Sequence, residues 1–231
     1  MIDLISKDLS AVNRMIYSIL TGDPKVSLDK KITKVVLIIF DGLGLQAFRK
    51  RRERFYEVFH KEPVRLINDI PNTYTALESL IKPDEITIFK RLELRGMTSC
   101  FIDRGGAFDC YNKDPTFSVK AFSDMDTYQK VLQNLKYDFI LAHFYDLDLA
   151  QHGKIHKRPE EATDEILNFI EDIYRNLPKE TLLVVVSDHG IHGDIPKYKK
   201  DLSKKDFMKR KRKIKKKAKE SKTCLLFYIV K

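Results

Sequence analysis

Three apolar runs of the sequence are each followed at once by acidic side chains, in one case together with a histidine. These residues are Asp41, the pair Asp146 and Asp148, and the pair Asp188 and His189. Carboxylate oxygens and imidazole nitrogens are the groups that hold divalent cations in proteins. The pattern therefore predicts a metal site, provided that the fold brings the ends of the three runs together.

The apolar runs themselves predict buried strands. Residues 35–40 and 182–186 consist of aliphatic and aromatic side chains without polar alternation, which is typical of strands covered on both faces in a parallel sheet. Ligands of such sheets bind beyond the carboxyl ends of the strands. Because the acidic residues follow those ends, we expect them to share one edge of the sheet.

Helices and further strands are predicted to alternate with these runs. Helical patterns cover residues 1–20, 45–61, 76–81, 85–94, 124–135 and 159–177, strands cover 97–102, 137–144, 181–186 and 223–230, and a polar loop covers 151–159. The last of these strands is expected near an edge of the sheet. Such alternation favours an open parallel sheet over a meander. The predicted fold is α/β with three layers, formed by a mostly parallel sheet with helices on both faces.

The length of 231 residues fits a single domain with a full core. We divide it into an N-terminal helix and linker (1–30), a metal-site core (33–193), a basic segment (204–222) and a final strand (223–230). The longest apolar runs stay well below the roughly 18 residues that span a bilayer, and the N-terminus has no signal-peptide pattern. Three cysteines without CxxC spacing fit reduced thiols. We expect a cytoplasmic protein without a transmembrane segment.

The acidic residues and histidines divide into two ligand sets. Asp41, Asp188 and His189 are predicted to hold one ion from two strand ends. Asp148 and His152 are four residues apart, so they can converge on a second ion through a turn or a first helical turn. Two divalent ions about 3.5–4 Å apart are the usual apparatus for in-line displacement at phosphorus.

Two threonines are candidates for the nucleophile that such a reaction needs. Thr73 and Thr75 stand at the predicted start of the helix over 76–81, where the backbone field is positive and a metal could lower the pKa of a hydroxyl. The alternative interpretation is that a threonine at this position only caps the helix.

Four segments resemble, in order, motifs of the alkaline phosphatase superfamily. They are VVLIIFDGLG, PNTYTALESL, YDLDLAQHG and LLVVVSDHG, within residues 33–193. The resemblance is greatest to the type I phosphodiesterase/nucleotide pyrophosphatase branch and the cofactor-independent phosphoglycerate mutase branch. It implies that Thr73 is the nucleophile, with Thr75 as the second choice, and that the ions are two divalent metals, zinc or manganese. The chain resembles a compact member of the superfamily without a cap insertion.

One expected ligand of the second ion has no counterpart in the sequence. Superfamily members usually supply it from a histidine far downstream, and no histidine follows His192. His192 is the nearest substitute and His156 is another, while Asp146 or Asp194 could add an oxygen. His192 could equally be a loop histidine near the site.

The net charge of +10 is concentrated in the basic segment 204–222. This segment could contact nucleic acid or an anionic surface, attract an anionic substrate, or form a solvated basic helix or loop. The resemblance implies metal-dependent hydrolysis or transfer of a phosphate ester, of phosphodiesterase or phosphatase type, on a phosphorylated small molecule or nucleotide. The alternative is a catalytically degenerate binding protein, for example for nucleic acid. No motif separates phosphatase, diesterase and mutase activity or specifies an oligomeric state.

Overall fold

The computed structural model describes residues 8–23, 30–68, 72–190 and 222–231, which form helices around one sheet. The strands are β1 (Lys34–Phe40), β2 (Val64–Ile67), β3 (Ser99–Asp103), β4 (Phe117–Lys120), β5 (Phe139–Phe144), β6 (Thr181–Val186) and β7 (Thr223–Val230). The helices are α1 (Leu9–Thr21), α2 (Leu45–Lys50), α3 (Arg52–Phe59), α4 (Thr73–Ile81), α5 (Ile88–Glu93), α6 (Gly106–Tyr111), α7 (Asp124–Gln133), α8 (Asp146–Gln151) and α9 (Pro159–Asn176).

The strands follow the order β2-β7-β6-β1-β5-β3-β4 across the sheet. The five strands from β6 to β4 are parallel, and β7 is antiparallel to both of its neighbours. In the register of the central strands, Phe40 lies opposite Phe144 and Ile39 lies opposite Val186. The chain therefore leaves β1, β5 and β6 at nearly the same level, so the residues that follow these strands meet at one edge.

Both faces of the sheet are covered, which explains the apolar runs. Along β1, Val36, Ile38 and Phe40 belong to one core cluster, which includes residues of α2, α3 and α9. Val35, Leu37 and Ile39 belong to a second cluster on the other face, with residues of α1, α4 and α5. Alternate residues thus enter different cores and every position is apolar. The predicted three-layer α/β fold is confirmed.

Several elements differ from the sequence prediction. The edge strands β2 and β4 were not predicted, because they are short and largely exposed and so lack an apolar run. The basic helix predicted to reach residue 61 is broken at Arg51 into α2 and α3. Helix α8 directly follows β5, where the sequence left open a turn or a first helical turn before the polar loop over 151–159. The final strand β7 is the neighbour of the edge strand β2.

The described residues contain no helix that is both long and apolar enough to cross a membrane. Cys100 and Cys224 are buried, Cys110 is exposed, and none of the three forms a disulfide. The basic segment, apart from Lys222, lies outside the described residues.

Candidate metal centre

Asp41 lies at the carboxyl end of β1 and is almost completely buried. Its amide continues the sheet by donating to the Phe144 carbonyl at 3.0 Å. The two carboxylate oxygens face two histidines: Oδ1 lies 3.2 Å from Nε2 of His189, and Oδ2 lies 3.4 Å from Nε2 of His143. Asp41 is therefore held between imidazoles on opposite sides.

The backbone fixes the orientation of Asp188, which follows β6. Its Oδ1 accepts from the amides of Gly42 at 3.1 Å and His189 at 2.8 Å, while Oδ2 lies 3.3 Å from Nε2 of His189. Behind it, Asn68 Nδ2 and Cys224 Sγ each contact the Asp188 carbonyl oxygen at 3.0 Å. The loop after β6 is thus tied to β1 on one side and to β7 on the other.

His189 presents Nε2 to the centre of this cluster. Its Nδ1 lies 2.9 Å from the Gly190 carbonyl, to which only a protonated nitrogen can donate. Nε2 is then the atom available toward the two carboxylates, the usual arrangement for a histidine that binds a cation.

Thr73 is the first residue of α4 and contacts the same histidine. Its Oγ1 lies 3.1 Å from His189 Nε2. The helix starts here because Asn72 caps it, accepting from the Thr75 amide at 2.9 Å. The Thr75 hydroxyl donates to the same Asn72 oxygen at 3.1 Å. Of the two candidate nucleophiles, Thr73 is the one whose hydroxyl contacts the cluster.

Asp148 and His152 lie on and just after α8. Asp148 Oδ1 lies 3.4 Å from His152 Nε2, and ligand atoms of Asp148, Asp41 and His189 lie within 4.8 Å of one another. The two predicted ligand sets therefore form one continuous centre. The helix is placed by Asp124, whose carboxylate accepts from the amides of Tyr145 and Asp146, each at 2.9 Å.

The substitutes considered for the missing ligand have different positions. Asp146 pairs with Arg104 and Lys157, each at 3.0 Å, so its charge is already neutralised. His156 is exposed in the loop between α8 and α9. His192 and Asp194 lie outside the described residues.

His143 and Asp103 belong to the centre, and the sequence analysis missed both. His143 lies inside β5 and Asp103 ends β3, and both are fully buried. Nδ1 of His143 lies 3.2 Å from Asp103 Oδ1. The only signal in the sequence was a histidine inside the otherwise apolar run 139–144, which we read simply as a strand.

Opposing effects set the charge of the cluster. Burial raises the pKa of Asp188 to about 7, and the charge of Asp41 adds to this effect. Burial would also raise the pKa of Asp41, but His143 and His189 hold it well below its usual range. Burial opposes protonation of His189, yet Asp188 and Asp41 raise its pKa to about 9. The His189 imidazole is thus protonated on both nitrogens, and a divalent cation would displace the proton on Nε2.

The donor set fits a divalent cation. Asp41 Oδ1 and Asp188 Oδ2 are buried and accept no well-aligned hydrogen bond from the described residues, although His189 Nε2 lies 3.2 and 3.3 Å from them. Burying such oxygens without compensation is costly, and a cation between them would compensate it. Carboxylate oxygens with an imidazole nitrogen suit zinc or manganese.

Gly42 is where the chain has no room for a side chain. Its φ is +76°, and a Cβ would lie 3.2 Å from Asp148 Cα and from Gln151 Oε1. We expect Gly42→Ala to destabilise the protein by roughly 1–2 kcal/mol from backbone strain alone. The close contacts of the added Cβ with Asp148 and Gln151 should add a further loss of stability. Denaturant unfolding measures the effect. Gly22→Ala is the matched control, because Gly22 has φ +71° with open space around it; an equal loss in both variants would contradict the steric part.

The two acidic residues of α8 should differ in their effect on metal binding. We expect Asp148→Asn to weaken zinc binding at least about tenfold, because it removes a charge from the centre. Asp146→Asn should leave zinc affinity within about threefold of wild type, since Asp146 pairs with Arg104 and Lys157. Calorimetric titration of the metal-stripped proteins measures both. The reverse ranking would make Asp146 the ligand.

Comparison with known proteins agrees with this architecture. The chain resembles a protein of the alkaline phosphatase superfamily from Vibrio parahaemolyticus at 14% identity and a TM-score of 0.61, over 95% of this chain and 69% of that chain. The zinc complex of the periplasmic domain of EptC from Escherichia coli is similar at 11% identity and a TM-score of 0.52, over 87% and 73% of the two chains.

Human ectonucleotide pyrophosphatase/phosphodiesterase 5 is similar at 17% identity and a TM-score of 0.51. The match covers 68% of this chain and 57% of that chain. No curated protein sequence is a significant match. The model of the type I phosphodiesterase/nucleotide pyrophosphatase family matches residues 97–226, more than half of the chain. The protein therefore belongs to the type I phosphodiesterase/nucleotide pyrophosphatase family and has the α/β fold of the alkaline phosphatase superfamily.

Proposed function

We propose that the protein hydrolyses or transfers phosphate esters, using Thr73 as nucleophile and two divalent cations. The observation that carries this proposal is the 3.1 Å contact of Thr73 Oγ1 with His189 Nε2. Through His189 it links the hydroxyl that is the first choice of the family resemblance to the buried Asp41 and Asp188 carboxylates. Family membership supports the same class of reaction.

Asp41, Asp188 and His189 would hold the first ion, and Asp148 with His152 would hold the second. When bound, such ions neutralise phosphate charge and favour the ionised form of the nucleophile. The zinc complex of the EptC domain supports zinc as one of the candidates, with manganese as the other. His192, the proposed third ligand of the second ion, lies outside the described residues.

The chain supplies the nucleophile and part of its electrostatic environment. Thr73 Oγ1 forms a bond to phosphorus while the bond from phosphorus to the ester oxygen breaks. Water or a second alcohol then accepts the phosphoryl group from Thr73. Because Thr73 is the first residue of α4 and the first turn contains no acidic residue, the positive end of the helix faces the phosphate.

Turnover of two chromogenic esters tests the proposal. Purified protein is stripped with a chelator and assayed with bis-p-nitrophenyl phosphate and p-nitrophenyl phosphate after adding zinc, manganese or magnesium. We expect turnover to return with zinc or manganese and to be absent in Asp41→Ala. No turnover with any metal, with wild type equal to Asp41→Ala, would refute the proposal. The preferred ester separates diesterase from phosphatase activity.

A binding role without catalysis is the second candidate. It is favoured by the lack of any histidine after His192 and by the basic segment 204–222. Salt-dependent binding of DNA or RNA that survives Asp188→Ala but is lost on deleting the segment would support it. Elemental analysis separates the two functions, since two bound ions support the enzyme and none supports the binding protein.

A further inference from the structure

A buried histidine that the proposed reaction does not use lies directly behind Asp41. His143 is fully buried inside β5, and its Nε2 lies 3.4 Å from Asp41 Oδ2. The other oxygen, Oδ1, is the one that faces His189 at 3.2 Å. The two histidines therefore contact opposite oxygens of one carboxylate, and His143 lies on the side away from His189.

The imidazole of His143 is held from behind. Its Nδ1 lies 3.2 Å from Asp103 Oδ1, which also accepts from the Tyr145 hydroxyl at 2.6 Å. The other oxygen of Asp103 accepts from the amides of Gly105 at 3.1 Å and Phe108 at 2.9 Å. Asp103 is thus fixed by three donors, and the His143 imidazole lies beside it.

Tyr145 also fixes the plane of the imidazole. Its ring stacks on His143 with centroids 3.8 Å apart and planes 30° from parallel. The tyrosine hydroxyl depends on the glycine at position 105, because a Cβ there would lie 2.4 Å from its oxygen. His143 is therefore packed against the Tyr145 ring, with one buried carboxylate 3.2 Å from Nδ1 and another 3.4 Å from Nε2.

We propose that His143 is a positioning residue, which orients the Asp41 carboxylate for the first cation while Asp103 and Tyr145 hold the imidazole in place. This inference rests on the proposed function, because it assumes that Asp41 is a metal ligand. An imidazole between Asp103 and Asp41 separates the two buried carboxylates, and it limits rotation of Asp41 by contacting the oxygen that does not face His189. Outer residues that orient a ligand in this way typically change metal affinity by about 10–100-fold when they are lost.

The competing role is that His143 is itself a ligand. Ligand atoms of Asp41, His143 and Asp188 lie within 4.8 Å of one another, so distance alone permits it. The arrangement favours positioning, since Nε2 faces the oxygen of Asp41 that is turned away from His189.

Two amide substitutions distinguish these roles, because the glutamine amide reaches the place of Nε2 and the asparagine amide reaches that of Nδ1. Zinc is titrated calorimetrically into metal-stripped His143→Gln and His143→Asn. We expect both variants to bind two zinc ions. The zinc affinity of His143→Gln should stay within about threefold of wild type, whereas that of His143→Asn should fall tenfold or more. Activity should recover with excess zinc in His143→Asn, so that the apparent metal requirement changes more than kcat at saturating metal.

Two further variants keep the test informative. Asp103→Asn removes the charge behind His143 with little change of shape, and it should also weaken binding of the first ion. It therefore replaces His143→Asn in the test if that variant fails to fold. His60→Gln, at an exposed histidine after α3, is the matched control and should bind zinc like wild type.

Three outcomes would overturn the inference. Loss of one ion in both His143 variants would make His143 a ligand. Wild-type zinc affinity in His143→Asn and Asp103→Asn, with only the melting temperature lowered, would make its role structural. A loss in His143→Gln as large as in His143→Asn would exclude positioning through Nε2. If wild-type protein itself binds no zinc, the proposed function fails, and this result is distinct from the other three.

Discussion

Thr73→Ala is expected to lower turnover of the better ester substrate by about 10³-fold or more, since it removes the nucleophilic oxygen. Thr73→Ser should keep measurable activity, because serine retains the hydroxyl at the start of α4. Zinc affinity should change little in either variant, since the ligand carboxylates and histidines stay in place. Steady-state kinetics at saturating metal, with zinc titration alongside, measures these effects.

Thr75→Ala is the matched control for this experiment. Its hydroxyl donates to Asn72 at the helix cap, so we expect turnover within about tenfold of wild type and a small loss of stability. Inactive Thr75→Ala together with active Thr73→Ala would assign the nucleophile to Thr75. Full activity in both variants would remove the threonine mechanism altogether.

Asp188→Asn is expected to have opposite effects on stability with and without metal. Asparagine keeps an oxygen to accept from the Gly42 and His189 amides but removes a buried charge next to Asp41. In the presence of a chelator, the variant should therefore have a higher melting temperature than wild type. In a chain of this size the shift is about 2–4 °C for each kcal/mol gained in the free energy of unfolding. With excess zinc the order should reverse, because wild type gains more from binding, and turnover should be lost.

The same variant gives a pH dependence with a defined sign. Burial raises the pKa of Asp188 to about 7, above its value of about 3.9 in an unfolded chain. Its contribution to stability is thus fully present below about pH 4 and is lost as the pH rises through about 7. In chelator, the gap between Asp188→Asn and wild type should widen from pH 5 to pH 8. A variant that melts below wild type at every pH would show that the hydrogen bonds of the carboxylate outweigh its burial.

The sequence predicted those parts of the fold that depend on long apolar runs. The bounds of β6 and β7 agree with the prediction at both ends, because their burial makes nearly every residue apolar. The edge strands β2 and β4 have only one covered or partly covered face, so their composition does not differ from that of loops.

The candidate site was predictable where its residues follow strand ends. Asp41, Asp148 and Asp188 have that local signal, and the family resemblance selected Thr73 over Thr75. His143 and Asp103 do not, because their pairing depends on the register of β5 with β1 and β3. Such a register is set by the whole sheet, and no spacing along the chain indicates it.

The antiparallel strand β7 has a consequence for the order in which the protein matures. It lies between β6 and β2, its Leu225 carbonyl accepts from the Ser187 amide at 2.8 Å, and Cys224 contacts the Asp188 carbonyl. During translation β6 leaves the ribosome before β7, so the growing chain carries an open strand edge beside the loop of Asp188 and His189. Until residues 223–230 have been made, the loop that carries Asp188 and His189 therefore lacks its contacts with Leu225 and Cys224.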